Sequence, residues 1–223
     1  VNFSKGNSNS GSFSETLNNE LIPINQKEAT NRQTNDRFST NGSLQFNRKL
    51  NSKGRNIALR LYYNLDNGNS DRYSLANTYY LKYGDSIKVQ NQWIDNLNRN
   101  HEYRVQLTYM EPVFTNHFIE INYSYQHRSS LSEKYAYDWN DLEDSYSQYP
   151  DTAQSDCYKN KYSIHQVGAF FRTIRTNYFY NIGIEIEPQQ TTNQSYMRDT
   201  TLEYSSRNAI NYSPTINFKY TFS

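Results

Sequence analysis

The sequence predicts an all-β protein of the transmembrane β-barrel class, in which antiparallel strands cross a membrane and are joined by turns and loops. Three observations support this prediction. Apolar and polar residues alternate with a period of two in several segments, short and long connections follow each other in a regular order, and tyrosine is abundant, with 22 residues in a chain of 223. Alternation with this period is typical of a strand with one apolar side, whether that side meets a core or lipid.

The composition argues against several other classes. The mean hydropathy of -1.00 and the 35% hydrophobic residues leave little for a helical core, and no apolar run of about 18 residues is present for a membrane-spanning helix. A formal net charge of +1 argues against a nucleic-acid partner, because surfaces that bind nucleic acid are usually basic. Cys157 is the single cysteine, so no internal disulfide can form. The 16% aromatic content is unlike that of disordered chains.

The segment 1–35 is the least defined part of the chain. It starts without an initiator methionine or a signal peptide, so the chain is expected to be a processed or internal product. Val1 and Phe3 are compatible with the end of a strand, and residues 6–14 form a loop rich in Ser, Asn and Gly. The apolar residues on either side of Pro23 are expected to fold back over a loop.

From residue 36 to 223, strands and loops alternate. The alternation defines seven strand windows, which are residues 43–47, 57–65, 103–109, 119–125, 167–172, 178–186 and 210–220. In the clearest window the apolar side consists of Ile57, Leu59, Leu61, Tyr63 and Leu65. We predict that such sides meet lipid and that the opposite sides line a lumen. Six charged residues are therefore candidate lumen-facing residues: Arg60, Arg104, Glu120, Arg172, Glu185 and Lys219. Charges of both signs suit a lumen filled by water or by a plug.

The connections between the windows differ in length in a fixed order. Residues 47–55, 111–117 and 173–177 are predicted short turns, and the second contains Pro112, which is unsuited to a central strand. Residues 66–100, 127–160 and 188–207 are predicted long polar loops. A soluble antiparallel sandwich is the alternative, since its strands also alternate. It predicts loops of mixed length and strands of about five or six residues, so the observed order favours a barrel with short periplasmic turns and long extracellular loops.

No constellation of residues points to an enzyme, a metal site or a bound cofactor. The four histidines are His101, His117, His127 and His165; they lack metal-ligand spacing and are predicted to lie at strand ends. Residues 138–144 are rich in carboxylates, but the glycine of a calcium loop is absent, so we predict a solvated acidic loop tip. There is neither a Gly-x-Ser-x-Gly motif nor a phosphate-binding glycine loop. Glu185 and Glu187 share one predicted face, where water or solute is their expected neighbour.

Three segments carry a resemblance to a known family. Residues 38–56 read FSTNGSLQFNRKLNSKGRN, a strand, an Arg-Lys-Leu-Asn turn and the start of the next strand. This segment resembles the outer-membrane β-barrel family of Bacteroidetes, large proteins similar to TonB-dependent receptors. Tyr109-Met110-Glu111-Pro112 is similar to the family's Tyr-x-Glu-Pro motif at the start of a turn, and residues 217–223 are similar to the end of a later strand. The resemblance covers most of the chain from about Asp36 onward.

The resemblance implies a bacterial outer-membrane protein with a larger barrel, a preceding plug domain and often a small carboxypeptidase-regulatory-like domain. None of those additional parts is recognisable in these residues, so the chain is expected to be a segment of seven to eight strands from a longer protein. A complete eight-stranded barrel is the alternative if Val1 to Phe3 is a true strand.

The implied function is the barrel part of a receptor-like transporter. Its expected partners are outer-membrane lipid, an extracellular ligand, and, in the full-length protein, a plug domain and an inner-membrane energy-coupling complex. The alternative is a surface or adhesive barrel that transports nothing and whose loops bind proteins or glycans. Because a fold hosts many functions, both readings rest on analogy and not on a site.

Overall fold

The computed structural model describes residues 1–81, 86–197 and 200–222, and every regular element in these residues is a β-strand. The strands are β1 (Asn2–Leu17), β2 (Pro23–Lys49), β3 (Asn56–Tyr80), β4 (Ser86–Phe114), β5 (His117–Asn140), β6 (Ser145–Tyr146), β7 (Asp156–Ile174), β8 (Tyr178–Met197) and β9 (Thr200–Tyr220). All neighbouring strands run antiparallel, so the predicted all-β antiparallel fold is confirmed. No helix that could span a membrane occurs in the described residues.

All the strands belong to one sheet. The order is β1-β2-β3-β4-β5-β7-β8-β9, and the two-residue β6 pairs with the end of β5. Apart from β6, each strand lies beside the next one along the chain, which makes the sheet a meander. Eight strands form the continuous path, in line with the seven to eight predicted. The sheet is open, because β1 and β9 do not pair with each other in the part of the chain that the structure describes.

The prediction of long polar loops is wrong, because most of these residues continue the neighbouring strands. Residues 66–80 extend β3 and residues 86–100 extend β4, in an unbroken ladder from Asp66 paired with Asn100 to Tyr80 paired with Ser86. The segments 127–160 and 188–207 are likewise largely strand. We call these distal parts of the hairpins the arms. The parts of the arms next to the apolar windows, such as residues 66–72, are polar on both sides, so no alternation reveals them. Their Asn, Asp and Ser residues are those usually found in turns.

The predicted loop in residues 6–14 is also strand. Gly6 pairs with Asn35 and Ser14 pairs with Lys27, so residues 1–35 contribute β1 and the start of β2. The connection between the two strands is a short turn in which the side chain of Asn18 accepts hydrogen bonds from two backbone N–H groups, 2.9 Å each. The expected fold-back over a loop is therefore absent, because Leu17 ends β1, Leu21 and Ile22 are exposed in the turn, and Ile24 lies in the paired strand β2.

Three short turns join the strands at the end of the sheet opposite the arms. They span residues 50–55, 115–116 and 175–177, inside the predicted turns. Pro112 lies within β4, contrary to the prediction, and pairs with Phe118. The register shifts between Pro112 and Phe114, and a proline is tolerated at such an irregularity because the ladder is already interrupted there.

An ion pair fixes the first of these turns to β4. The guanidinium of Arg55 donates two hydrogen bonds to the carboxylate of Glu111, at 2.7 and 2.5 Å. The hydroxyl of Tyr109 donates to the same carboxylate. These hydrogen bonds stabilise the charged form and lower the pKa of Glu111 below its ordinary value.

The sheet has two faces of different character and almost no interior. The apolar face carries Leu59, Leu107, Ile121 and the residues that pair with them, and the polar face is its opposite. The few buried apolar residues in the described part of the chain are Ala76, Ile94, Ala136, Cys157 and Phe170. A single layer of this kind leaves its apolar face without a packing partner.

Candidate functional site on the polar face

The six predicted lumen-facing residues all lie on the polar face. Directly opposite residues of an antiparallel pair share a face, as do residues two apart in one strand. Arg60 pairs with Gln106, two residues from Arg104. Glu120 pairs with Phe170, two residues from Arg172, while Glu185 pairs with Gly168 of the same strand. Lys219 pairs with Phe179, which shares its face with Glu185.

The structure brings Glu120 and Arg172 into direct contact. Glu120 Oε2 lies 2.8 Å from Arg172 Nη2, and Glu120 is nearly buried. Asn122 Nδ2 donates a hydrogen bond of 3.1 Å to the other carboxylate oxygen. Three buried polar atoms beside this pair have no hydrogen-bond partner in the described residues: Arg172 Nε, Asn122 Oδ1 and Asn181 Oδ1. Unsatisfied buried groups of this kind are rare in proteins, so these atoms are expected to form hydrogen bonds with further polar groups or with water.

A network of amides connects further polar residues in the middle of the face. Arg104 Nη2 donates to Gln126 Oε1 at 2.7 Å, and Gln126 Nε2 donates to Glu102 Oε1 at 2.9 Å. On the neighbouring strands, Gln166 Nε2 donates to Glu185 Oε2 at 3.0 Å. A groove of about 210 Å³ lies over this network, lined by Arg104, Gln106, Ser124, Gln126, Ile164, Gln166 and Glu187. Its donors and acceptors can bind water, polar solutes or a polar polypeptide.

The other two predicted residues are more isolated. Arg60 makes one long contact, 3.4 Å from its Nη2 to Gln45 Oε1. Lys219 lies on the edge strand β9 and forms no ion pair among the described residues. The network residues Glu102, Gln126 and Gln166 were missed by a search limited to charges within the strand windows. Each is an even number of residues from a predicted member of the same strand, namely Arg104, Glu120 and Arg172, so continuing the alternation along the strand identifies their face.

The histidines are not placed as predicted. Only His117 lies at a strand end, whereas the others lie inside strands on the apolar face. The rings of His127 and Tyr103 are 5.3 Å apart, and those of His165 and Tyr125 are 4.7 Å apart. His127 and His165 thus pack against tyrosines of the neighbouring strands, as other aromatic residues of the sheet do. No group of three or more His, Cys, Asp or Glu side chains in the described residues could hold a metal ion.

The acidic stretch divides between a strand and a turn. Asp138 to Asn140 end β5, and residues 141–144 form an exposed turn. Asn140 organises this turn, because its carbonyl oxygen accepts from the backbone N–H of Glu143 at 3.2 Å and its side-chain oxygen accepts from that of Leu142 at 3.1 Å. Asp141, Glu143 and Asp144 thus belong to a surface turn at the end of an arm, whereas Asp138 lies in the strand and accepts a hydrogen bond of 2.7 Å from Gln92 Nε2.

The apolar face carries a band of exposed aliphatic side chains with tyrosines at both borders. Leu107, Ile121 and Ile184 are 39%, 49% and 46% exposed. We call this the apolar band; it runs across β3, β4, β5, β7, β8 and β9. On the side of the short turns it ends in Tyr109, Tyr178, Tyr180 and Tyr220, and on the side of the arms in Tyr63, Tyr103, Tyr123, Tyr125 and Tyr212.

The contact between Glu120 and Arg172 leads to a testable prediction. Glu120→Gln leaves the guanidinium without its carboxylate, and Arg172→Gln leaves a nearly buried carboxylate unpaired. Each variant should lower the free energy of unfolding by about 2 kcal/mol, while the double variant should cost clearly less than the sum of the two. Urea unfolding of the four proteins gives the coupling energy. Strictly additive costs would contradict the prediction, and Arg60→Gln, at the long contact to Gln45, is the control expected to change little.

Comparison with known proteins provides no match, whether to protein-family models, to curated proteins or to solved structures.

Proposed function

We propose that the chain is part of a β-barrel of a bacterial outer membrane, with the apolar band in lipid and the polar face toward the lumen. The observation that carries this proposal is the apolar band itself. Its aliphatic side chains are exposed in a contiguous strip, and soluble monomers rarely expose large apolar patches. Tyrosines border the strip on both sides, as aromatic girdles do at the two interfaces of a membrane barrel.

The course of the band across the sheet supports the proposal independently. Leu61 is the middle of the apolar run of β3, and two cross-strand pairs connect it to Tyr125 of β5. Ile182 is the middle of the run of β8, and two cross-strand pairs connect it to Ile119 of β5. Ile119 and Tyr125 are opposite ends of the run on β5. From β3 to β8, the centre of the band is therefore displaced along the strand direction by the distance from Tyr125 to Ile119.

A level band crossed by tilted strands has this form, because a barrel closes only when its strands tilt and their register staggers. The displacement equals the span from Ile119 to Tyr125 over the four steps from β3 to β8. With a rise of about 3.3 Å per residue and about 4.8 Å between strands, this corresponds to a tilt of about 45°. Membrane barrels have tilts of about 35–45°.

A membrane location also places a requirement on the open edges. Backbone N–H and C=O groups in lipid must be paired, so strands can cross only as a closed barrel. At the level of the apolar band, residues 40–49 of β2, which extend past the end of β1, and the outer edge of β9 have no partner strand in the described residues. We therefore propose that both edges pair with further strands and that the eight-strand path is a segment of a larger barrel.

Within this setting, the proposed activity is transport through a receptor-like barrel. The polar face supports it, because its groove and the unsatisfied atoms near Glu120 suit contact with water, solute or a plug domain. The resemblance of residues 38–56 to receptor-like barrels points the same way. An energy-coupling complex and a plug belong to this proposal as partners of the full-length protein.

A second candidate is a surface barrel that binds proteins or glycans without transport. One observation favours it, which is an aromatic cluster on the arms. The stacked rings of Trp93 and Tyr137 are 4.8 Å apart, and Tyr146 contacts both Trp93 and Trp139. Exposed aromatic surfaces are common in binding sites. A plug and a coupling box encoded upstream in the full gene would favour transport, and their absence would favour this second candidate.

A cysteine-labelling scan along Ile57 to Leu65 tests the membrane location. Each position is replaced singly by cysteine in a Cys157→Ala background, and the protein is folded into phospholipid vesicles. A fluorescent label on a cysteine at an odd position should be quenched by lipid-attached nitroxides. Cysteines at even positions should react with a water-soluble maleimide, because the two sets lie on opposite faces. Equal accessibility of the two sets would overturn the proposal, while residues 67–71 on the arm serve as a water-accessible control.

A further inference from the structure

Basic side chains are concentrated on the apolar face just beyond the apolar band, on three neighbouring strands. Cross-strand pairs align them, since His101 and Lys161 both pair with Ser129, and Arg99 and Lys159 both pair with Leu131. We call the set the basic patch, and its members are Arg99 and His101 on β4, His127 on β5, and Lys159 and Lys161 on β7. No acidic side chain occupies the positions between them.

The basic patch begins where the tyrosine border of the band ends. Tyr103 belongs to that border and pairs with His127, the first member of the patch. In the next outward row, His101, Ser129 and Lys161 are polar, and Leu65 of β3 is the last aliphatic residue of the band. Aromatic girdles mark the boundary between hydrocarbon and headgroups. If the proposed membrane location holds, on which this inference rests, the basic patch therefore lies at the depth of the lipid headgroups.

A groove within the patch offers several hydrogen-bond donors at once. It has a volume of about 240 Å³ and is lined by His127, Lys159, Lys161, Ser163, Gln190, Thr192, Gln194 and Tyr204. Both lysines are exposed, and neither forms an ion pair among the described residues. The nearest acid on this face is Glu133, one cross-strand row further out, where it accepts a hydrogen bond from the hydroxyl of Tyr196.

We propose that this groove binds the phosphate group of a membrane lipid headgroup. Two ammonium groups, hydroxyls and amides converge there, and a phosphate has several acceptor oxygens for them. The position favours a lipid as the source, because the apolar band lies directly below the groove and can hold the acyl chains. Basic side chains at the membrane surface attract anionic lipids in general, and each one adds to the affinity.

The test uses the full-length protein that contains this chain, in dodecyl maltoside micelles, with lipid binding measured by native mass spectrometry. The probes are lipid A with two phosphates, the same lipid after enzymatic removal of the phosphates, and inorganic phosphate. The variant is K159Q/K161Q. The control is K88Q/K134Q, which removes the same charge from the polar face of the neighbouring strands.

The phosphorylated lipid should bind, and K159Q/K161Q should weaken its binding roughly 30-fold, while K88Q/K134Q stays within about twofold of the parent protein because its lysines lie on the other face. Equal binding of the two lipids, or equal losses in the two variants, would overturn the phosphate site. Inorganic phosphate binding as tightly as the lipid would show a site for free anions instead. These results are distinct from a failure of the membrane proposal, which the labelling scan in vesicles detects through equal accessibility of odd and even positions.

Discussion

Leu107→Arg is expected to lower the free energy of unfolding by about 2–4 kcal/mol in a membrane environment. Leu107 lies in the middle of the apolar band, between its cross-strand partners Leu59 and Tyr123. If the band is in lipid, the guanidinium must reach the interface or remain poorly solvated, and either outcome is costly at this depth. Urea unfolding of the protein in phospholipid vesicles, followed by tryptophan fluorescence, measures the change.

Gln106→Arg is the matched control for this prediction. The residue is adjacent in sequence, lies on the polar face and has no aliphatic cross-strand partner, since it pairs with Arg60 and Ser124. Its replacement should cost less than about 1 kcal/mol because the new charge remains hydrated. If both variants were equally mild, the band would be facing water and the membrane proposal would fail.

Gly183→Ala is expected to destabilise the sheet by about 1–3 kcal/mol through overpacking. A Cβ at Gly183 would lie 2.5 Å from the carbonyl oxygen of Ala169 and would clash with the ring of Phe170. Phe170 is nearly buried, although it lies on the polar face. Its ring also leaves no room for a Cβ at Gly168, so the two glycines form the surface on which it packs.

Gly42→Ala is the control, because a Cβ at Gly42 would meet no heavy atom within 4 Å. That substitution should be neutral or slightly stabilising, since alanine loses less backbone entropy than glycine. The cost of Gly183→Ala should shrink in a Phe170→Ala background, which removes one of the two clashes. Urea midpoints of the parent, the three single variants and the Phe170→Ala/Gly183→Ala double variant measure these costs, and equal costs at Gly42 and Gly183 would refute the packing argument.

The strand windows were predictable because one of their faces is apolar. In residues 57–65 and 119–125 every second side chain is apolar or aromatic, and a period of two then defines both strand and face. The parts of the arms next to these windows lack this signal, because both sides are polar there, as in residues 66–72. Their strands are held by backbone ladders, such as the one ending at Tyr80 and Ser86, and backbone hydrogen bonds are the same for every non-proline sequence. A strand with polar residues on both faces therefore cannot be distinguished from a polar loop by its sequence pattern.

The candidate site was predictable in face but not in contacts. Within each strand window, the alternation of odd and even positions places Glu120 and Arg172 on the polar side. Their ion pair depends on the register between β5 and β7, which places Phe118 opposite Arg172 and Glu120 opposite Phe170. The basic patch was missed for a related reason. Its members are spread over three strands, and only the pairing brings Arg99 and Lys159 to either side of Leu131.

The continuous ladders of the arms constrain how the length of this protein can vary among descendants of one gene. Loss of one residue from one side of an arm shifts the pairing and reverses the faces of every side chain between that point and the next irregularity. Loss of the last two matched pairs at the tip, Tyr79 with Ile87 and Tyr80 with Ser86, shortens the hairpin by two rungs and leaves the faces and pairing beneath unchanged. Length changes that preserve the apolar band should therefore be paired and should accumulate near the tips, so that hairpin height varies while the strands beneath retain their register.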